Sequence, residues 1–513
     1  MKRFLFSIVA SLASIALYAQ APTITSFSPS SARVGESVTI TGTGFDSTNS
    51  NNIVFFGAVK ASVVSSTSTE LVVSVPNGAT HSLLNVVNLT TSLSASSPLH
   101  FFPTWSNPDP QTIVSGSFEK FDISSSTSPA SVSSGVWYET RKQGGVADFD
   151  NDGKVDVVKV DASGSRLAIY KNQSSPGTLS ANSFSSTVNF LPTFANPRNL
   201  AIGDLNNDGK LDIVVTNGTK NISVLINSST GSGTIAFESS QDIVVSNTNN
   251  YSLVTIGDVD GDGLKDLILG VQNGRVFIFR NTTTMPGSVI SFSTEVSTGI
   301  TSSTDLALAD LNQDGKFDVV SATGSNKVQI APNNSVIGSI SFATTFELST
   351  IYNYSIGVSD LDRDGKIDII LGPQGSTSGQ VFKNNFSSGS LSSSNFAATT
   401  INNITASAAN YAWNFEFGDF NGDGKQDIIS GDFNAGSYTN VVTNNLSQNS
   451  SFNTSDFIGT AYISNYMGSY AISYAVDLDN DGKIDFISFS DSKMTVGRNK
   501  IGESPSIIIS GNL

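Results

Sequence analysis

Seven times along this 513-residue chain the same nine-residue pattern returns, with an acidic or amide oxygen at positions 1, 3, 5 and 9 and glycine at position 6. The first copy reads Asp-Phe-Asp-Asn-Asp-Gly-Lys-Val-Asp from Asp148, and the others start at Asp204, Asp258, Asp310, Asp360, Asp419 and Asp477. Successive starts lie 50 to 59 residues apart. That spacing is too regular for chance and too long for a solenoid of single hairpins. Repeats near fifty residues that carry several short strands are blades of a β-propeller.

Val and Ile runs flank the copies, as in Leu200-Ala201-Ile202 before the second and Ile213-Val214-Val215 after it. Such runs between polar turns favour strands. Each unit therefore reads as inner strand, loop, second strand, turn, third strand and fourth strand. In the second unit these fall at residues 200–202, 213–216, 222–226 and 235–237. The predicted fourth strands carry a recurrent phenylalanine, at Phe184, Phe237, Phe292, Phe342 and Phe396, with Phe452 or Phe457 in the sixth unit. These read as core between blades. After the seventh loop only residues 484–489 and 494–496 read as strands, so residues 117–121 are expected to supply the missing one and close the ring.

Carboxylates at alternate positions followed by glycine let a tight turn wrap oxygens around one hard cation, with position 7 adding a backbone carbonyl. The candidate ligands are Asp148, Asp150, Asp152 and Asp156; Asp204, Asn206, Asp208 and Asp212; Asp258, Asp260, Asp262 and Asp266; and Asp310, Asn312, Asp314 and Asp318. The last three loops add Asp360, Asp362, Asp364 and Asp368; Asp419, Asn421, Asp423 and Asp427; and Asp477, Asp479, Asp481 and Asp485. An all-oxygen, flexible set prefers Ca²⁺ to a transition metal. Up to seven Ca²⁺ ions are expected, more weakly held where Asn206, Asn312 or Asn421 replaces a carboxylate. An EF-hand is excluded because Lys159, Val215 and Leu269 stand where its twelfth-position glutamate belongs.

The loops resemble the FG-GAP/VCBS repeats of integrin-type propellers, in which a calcium loop joins neighbouring strands of each blade; that resemblance implies structural metal. The segment before the repeats has its own pattern, with Gly35, Val38-Thr39-Ile40, Gly42, Gly44, Phe45, Phe55-Phe56-Gly57 and Leu71 through Pro76. It resembles the immunoglobulin-like IPT/TIG family, read here as a spacer or stacking module. The fold class is therefore all-β, an N-terminal immunoglobulin-like sandwich followed by a seven-bladed propeller. Expected boundaries are a signal peptide at 1–19, the sandwich at 21–103, a linker at 104–112, the propeller at 113–500, and a tail or further domain at 501–513.

Lys2, Arg3, an apolar run through Leu17 and Ala19 before Gln20 read as an export signal, placing the protein outside the cell or on its surface. No later segment approaches ~20 uninterrupted apolar residues, so no membrane span is expected after signal removal. The chain has no cysteine and only His81 and His100, which argues against disulfides, histidine-rich zinc sites and a serine–histidine triad. The net charge is −16, yet 25 of the 43 acidic residues lie in the seven loops and no basic stripe appears, so nucleic acid is not an expected partner.

Aromatic residues gather just before the loops: Trp137, Tyr138, Tyr251, Tyr352, Tyr354, Tyr411, Trp413, Tyr466 and Tyr470. They fall toward the far end of the inner strands, where they would either form a rim for a glycan or protein ligand or plug the channel. The leading functional reading is a monomeric, non-catalytic binding or adhesion protein. The alternatives are a polysaccharide lyase or hydrolase, or a purely structural surface protein. Few carboxylates outside the loops are available as a catalytic pair.

Overall fold

The computed structural model describes residues 20–110, 112–123, 144–161, 164–185, 189–193, 196–218, 221–244, 251–271, 273–283, 289–373, 375–402, 404, 411–433, 438–464, 472–489 and 494–503. The expected signal and all but the first three residues of the expected tail lie outside them. The described residues form one eight-stranded sandwich and seven four-stranded antiparallel sheets.

In the sandwich, strands such as Ser37–Thr43 alternate buried and exposed residues, placing Val38 and Ile40 inward opposite Val73 and Leu71. Phe56 and Phe101 meet edge-to-face at 4.8 Å in the same core. Alternation of this kind fits sheets with one face packed.

Each blade begins at the channel and runs outward, as in Pro197–Gly203, Asp212–Asn217, Asn221–Leu225 and Gln241–Val244. Second strands are largely buried, Asp212–Asn217 along its whole length, because both of their faces pack against neighbouring blades. The last blade consists of Ile472–Val476, Asp485–Phe489, Met494–Asn499 and, from the other end of the chain, Phe118–Ile123. Phe118 pairs with Asn499 and Ile123 with Met494, so the ring closes as the sequence predicts.

The outer strands differ from expectation. Phe184, Phe237, Phe292 and Phe342 make single bridges to Asn172, Asn227, Asn281 and Asn333, and the fourth strand starts later, at Gln241–Val244 in the second blade. Of the phenylalanines predicted for fourth strands, only Phe396 and Phe457 open one. The ring pins a turn against the preceding blade's core before pairing begins, so an apolar residue does not mark the strand itself.

The sandwich sits on the loop face of the propeller. Ala58 O accepts from Asp148 N at 2.8 Å, Gly263 O from Ser94 N at 2.9 Å, and Ser92 O from Asn207 Nδ2 at 3.1 Å. Just beyond the strand Leu93–Thr104, Trp105 Nε1 donates to Asp419 O at 2.7 Å and Asn107 Nδ2 to Asn421 O at 3.0 Å. Contact is close enough that a Cβ on Gly422 would lie 2.5 Å from Asn107 Cβ. Between sandwich and blades lies a cavity of about 440 Å³, lined by inner-strand residues including Val146, Ile256, Glu416 and Tyr474 and by the stacked pair His81 and His100.

Candidate metal centres

Each repeat loop joins the first strand of a blade to its second, and its carboxylates organise the turn before any ion is considered. In the first loop Asp148 accepts from Asp152 N at 3.0 Å and Gly153 N at 2.9 Å, while Asp152 Oδ1 accepts from Lys154 N at 3.0 Å. Two residues per loop are left-handed: position 4, with Asn151 at φ 55° and Asn207 at φ 56°, and position 6, with Gly153 at φ 82°. This backbone explains why glycine is invariant at 6 and why asparagine or glycine stands at position 4 in five of the loops.

Carboxylate oxygens of Asp148, Asp150 and Asp156 all lie within 4.8 Å of one another, as do those of Asp258, Asp260 and Asp262, of Asp360, Asp362 and Asp368, and of Asp477, Asp479 and Asp485. These four clusters belong to the loops with Asp at position 3. In the other three, Asn206, Asn312 and Asn421 turn their Oδ1 to the position-5 backbone N–H at 3.1, 3.2 and 3.1 Å.

Position 9 has a second task. Both oxygens of Asp156 accept backbone N–H groups, from Phe149 at 3.0 Å and Asn172 at 2.9 Å, and the pattern recurs at Asp212, Asp266, Asp318, Asp368, Asp427 and Asp485. This aspartate therefore buttresses the blade as well as facing the cluster.

Burial pushes Asp148 up to about 6, against lowering by the Gly153 and Asp152 N–H groups, with the charges of Asp152 and Asp150 adding to the rise. Asp258 and Asp477 are pushed to about 7, first by burial and then by the facing charges of Asp262 and Asp481. Asp150 Oδ1, Asp362 Oδ1 and Asp479 Oδ1 are buried and have no hydrogen-bond partner. Clustered, oxygen-only, partnerless acceptors fit a hard divalent cation. Such an ion supplies the positive charge that lets the buried carboxylates ionise together.

A family model described as FG-GAP-like repeat matches residues 148–215, 204–269, 258–321, 310–371 and 360–430, together more than half of the chain. The chain belongs to the FG-GAP-like repeat family. Each matched FG-GAP unit starts at one loop and runs past the next, so it takes in the two loops on either side of a blade boundary. An IPT/TIG domain model matches residues 22–102.

Among solved structures, similarity extends to BBS1N in complex with ARL6DN (12% identity, 75% of this chain and 97% of that one, TM-score 0.45). It extends also to an auxiliary nutrient binding protein from Bacteroides ovatus (10%, 93% and 98%, TM-score 0.33). A putative phosphatase from Bacteroides thetaiotaomicron is similar too (10%, 94% and 97%, TM-score 0.34). No curated protein matches the chain.

Three of the nine aromatic candidates are buried. Tyr251 and Trp413 are 1% exposed and Tyr354 6%. Tyr354 and Trp413 lie 5.5 Å apart beside Ile472, filling the space where inner strands converge. Tyr251 stands edge-on to Phe277 and Phe279. Tyr352, at 46%, is exposed immediately before the inner strand Asn353–Ser359. Tyr411 opens the strand Tyr411–Gly418, while its side chain, and Trp137, Tyr138, Tyr466 and Tyr470, lie outside the described residues.

One set of residues escaped the sequence reading. Asn172, Asn227, Asn281, Asn333, Asn384, Asn444 and Asn499 each donate through Nδ2 to a loop carbonyl of the preceding blade, Asn172 reaching Leu478 of the last. They latch the ring blade to blade. Their only signal is an asparagine 22 to 25 residues after each first aspartate.

Proposed function

We propose that this is an exported, non-catalytic binding or adhesion protein in which calcium in the FG-GAP loops stiffens a propeller that presents its opposite face to an extracellular glycan or protein. One observation carries the reading. The sandwich and the segment after it are seated on the loops of the first, second, third and sixth blades, so the metal-bearing face is committed to an internal contact. Recognition then falls to the face at the other end of the inner strands, where Tyr352 stands exposed. An exposed aromatic ring stacks on sugar or peptide at little cost in ordering.

Glycan-array and pull-down binding by the full chain, together with turnover assays on polysaccharides, test this. Tyr352→Ala should lower affinity for the retained ligand while leaving the melting temperature nearly unchanged. Polysaccharide cleavage would overturn the non-catalytic reading, and unaltered binding by Tyr352→Ala would move the recognition surface elsewhere.

A further inference from the structure

The seven loops sort without exception into two classes by a residue far from the nine-residue pattern, the one immediately before each latch asparagine. Where position 3 is Asp150, Asp260, Asp362 or Asp479, that residue is Lys171, Arg280, Lys383 or Arg498. Where position 3 is Asn206, Asn312 or Asn421, it is Ile226, Pro332 or Thr443, none of which can carry positive charge.

The bases reach the loops. Lys171 Nζ bonds Asp150 and, at 2.8 Å, Asp152. Arg280 Nε lies 2.5 Å from Asp260 Oδ2, and its Nη2 bonds Asp262. Lys383 Nζ bonds Asp362 and, at 3.1 Å, Asp364. Arg498 Nε lies 2.7 Å from Asp479 Oδ2 and its Nη2 3.3 Å from Asp481. In every case the base takes Oδ2 of the position-3 aspartate. In the first, fifth and seventh loops Oδ1 of that aspartate is left buried and partnerless, the side chains being 0 to 1% exposed.

Counting the four ligand positions and this neighbour, a loop with four acids and a base carries the same net charge as one with three acids and none. We propose that Lys171, Arg280, Lys383 and Arg498 are tethered counter-cations that equalise the seven FG-GAP loops, steadying the metal-free fold and restraining divalent-cation affinity at the four-acid sites. This rests on the loops taking a divalent cation. The base neutralises one oxygen of the extra aspartate and, in the first, fifth and seventh loops, leaves the other for the ion, whereas Asp260 Oδ1 accepts from Asp262 N at 3.2 Å. Without it, a four-acid loop gains affinity for a dication on the order of tenfold, even at the dielectric constant of water. The same loss leaves the metal-free loop with an uncompensated buried charge.

The test compares thermal melting in EDTA and in excess Ca²⁺, with Ca²⁺ titration calorimetry, for wild type, Arg280→Gln, Lys383→Gln, Asn206→Asp, and Asn206→Asp combined with Ile226→Lys. A wild type indifferent to Ca²⁺ would remove the metal reading and the proposal with it. With a responsive wild type, each Gln variant and Asn206→Asp should melt lower in EDTA yet gain more from Ca²⁺ than wild type, with one site tightened about tenfold. The added Ile226→Lys should return both quantities toward wild type. Equal losses in EDTA and in Ca²⁺ would mark an ordinary salt bridge and overturn the proposal. So would failure of Ile226→Lys to offset Asn206→Asp.

Discussion

Asp148 and Asp258 sit near pKa values of about 6 and 7 in the metal-free fold, chiefly through burial, whereas in the unfolded chain they return to 3.8. Folded protein therefore holds protons that unfolded protein has released, and this contribution to stability is complete below about pH 4 and lost as pH rises through about 7. All fourteen aspartates at positions 1 and 9 are shifted upward. Among the described residues the carboxylates Asp46, Glu347 and Glu503 and the buried His81 and His100 are shifted downward and so lose stability on acidification, His100 to about 4. The loop aspartates should dominate. Melting temperature in EDTA is expected to fall between about pH 4.5 and about pH 7.5, and in excess Ca²⁺ to show no such fall. A flat profile in EDTA would mean the loops carry no stored repulsion. The carboxylate clusters were legible in the sequence because each comes from a short local pattern repeated seven times. The backbone duty of position 9 was not, since its partner Asn172 lies sixteen residues from Asp156.

At the scale of strands and blades, the joints between sheets decide cohesion. Asn281 Nδ2 donates at 3.1 Å to Leu205 O of the preceding blade and at 3.1 Å to Lys265 O of its own, while its N–H binds Asp266. Asn281→Ala orphans two buried carbonyls, and urea unfolding should show a loss of roughly 2–3 kcal/mol. The exposed Asn385, changed to Ala, should stay within about 0.5 kcal/mol of wild type. Comparable losses for both would deny the latch its role. Blade number, second strands and the closing strand follow from apolar runs at a steady period, so they could be read directly. Phe184 and Phe237 misled because burial is shared by strands and by the bridged turns that precede them.

Over the whole molecule, the sandwich behaves as a lid seated on the loops. The sequence reading of a spacer could not anticipate this, because the contacts join residues such as Trp105, which lies outside any repeat, to Asp419, 314 positions away. A chain lacking residues 20–110 keeps Phe118–Ile123 and should still melt cooperatively, with a Ca²⁺ response. One lacking residues 20–123 loses that strand, bares the edge Met494–Asn499 and should self-associate in light scattering. Equal solubility of the two would argue that the closing pair is dispensable.

Closure by strands from both ends also imposes an order in time. Asp122 and Thr495, hydrogen-bonded at 2.9 Å, are 373 positions apart, so the earlier strand waits unpaired until nearly the whole ring has been synthesised. Contacts of such long range form late and leave exposed edges in the interim. Under the export proposed above that delay would be useful: a ring that cannot shut early remains threadable, and it locks only after the last blade has emerged.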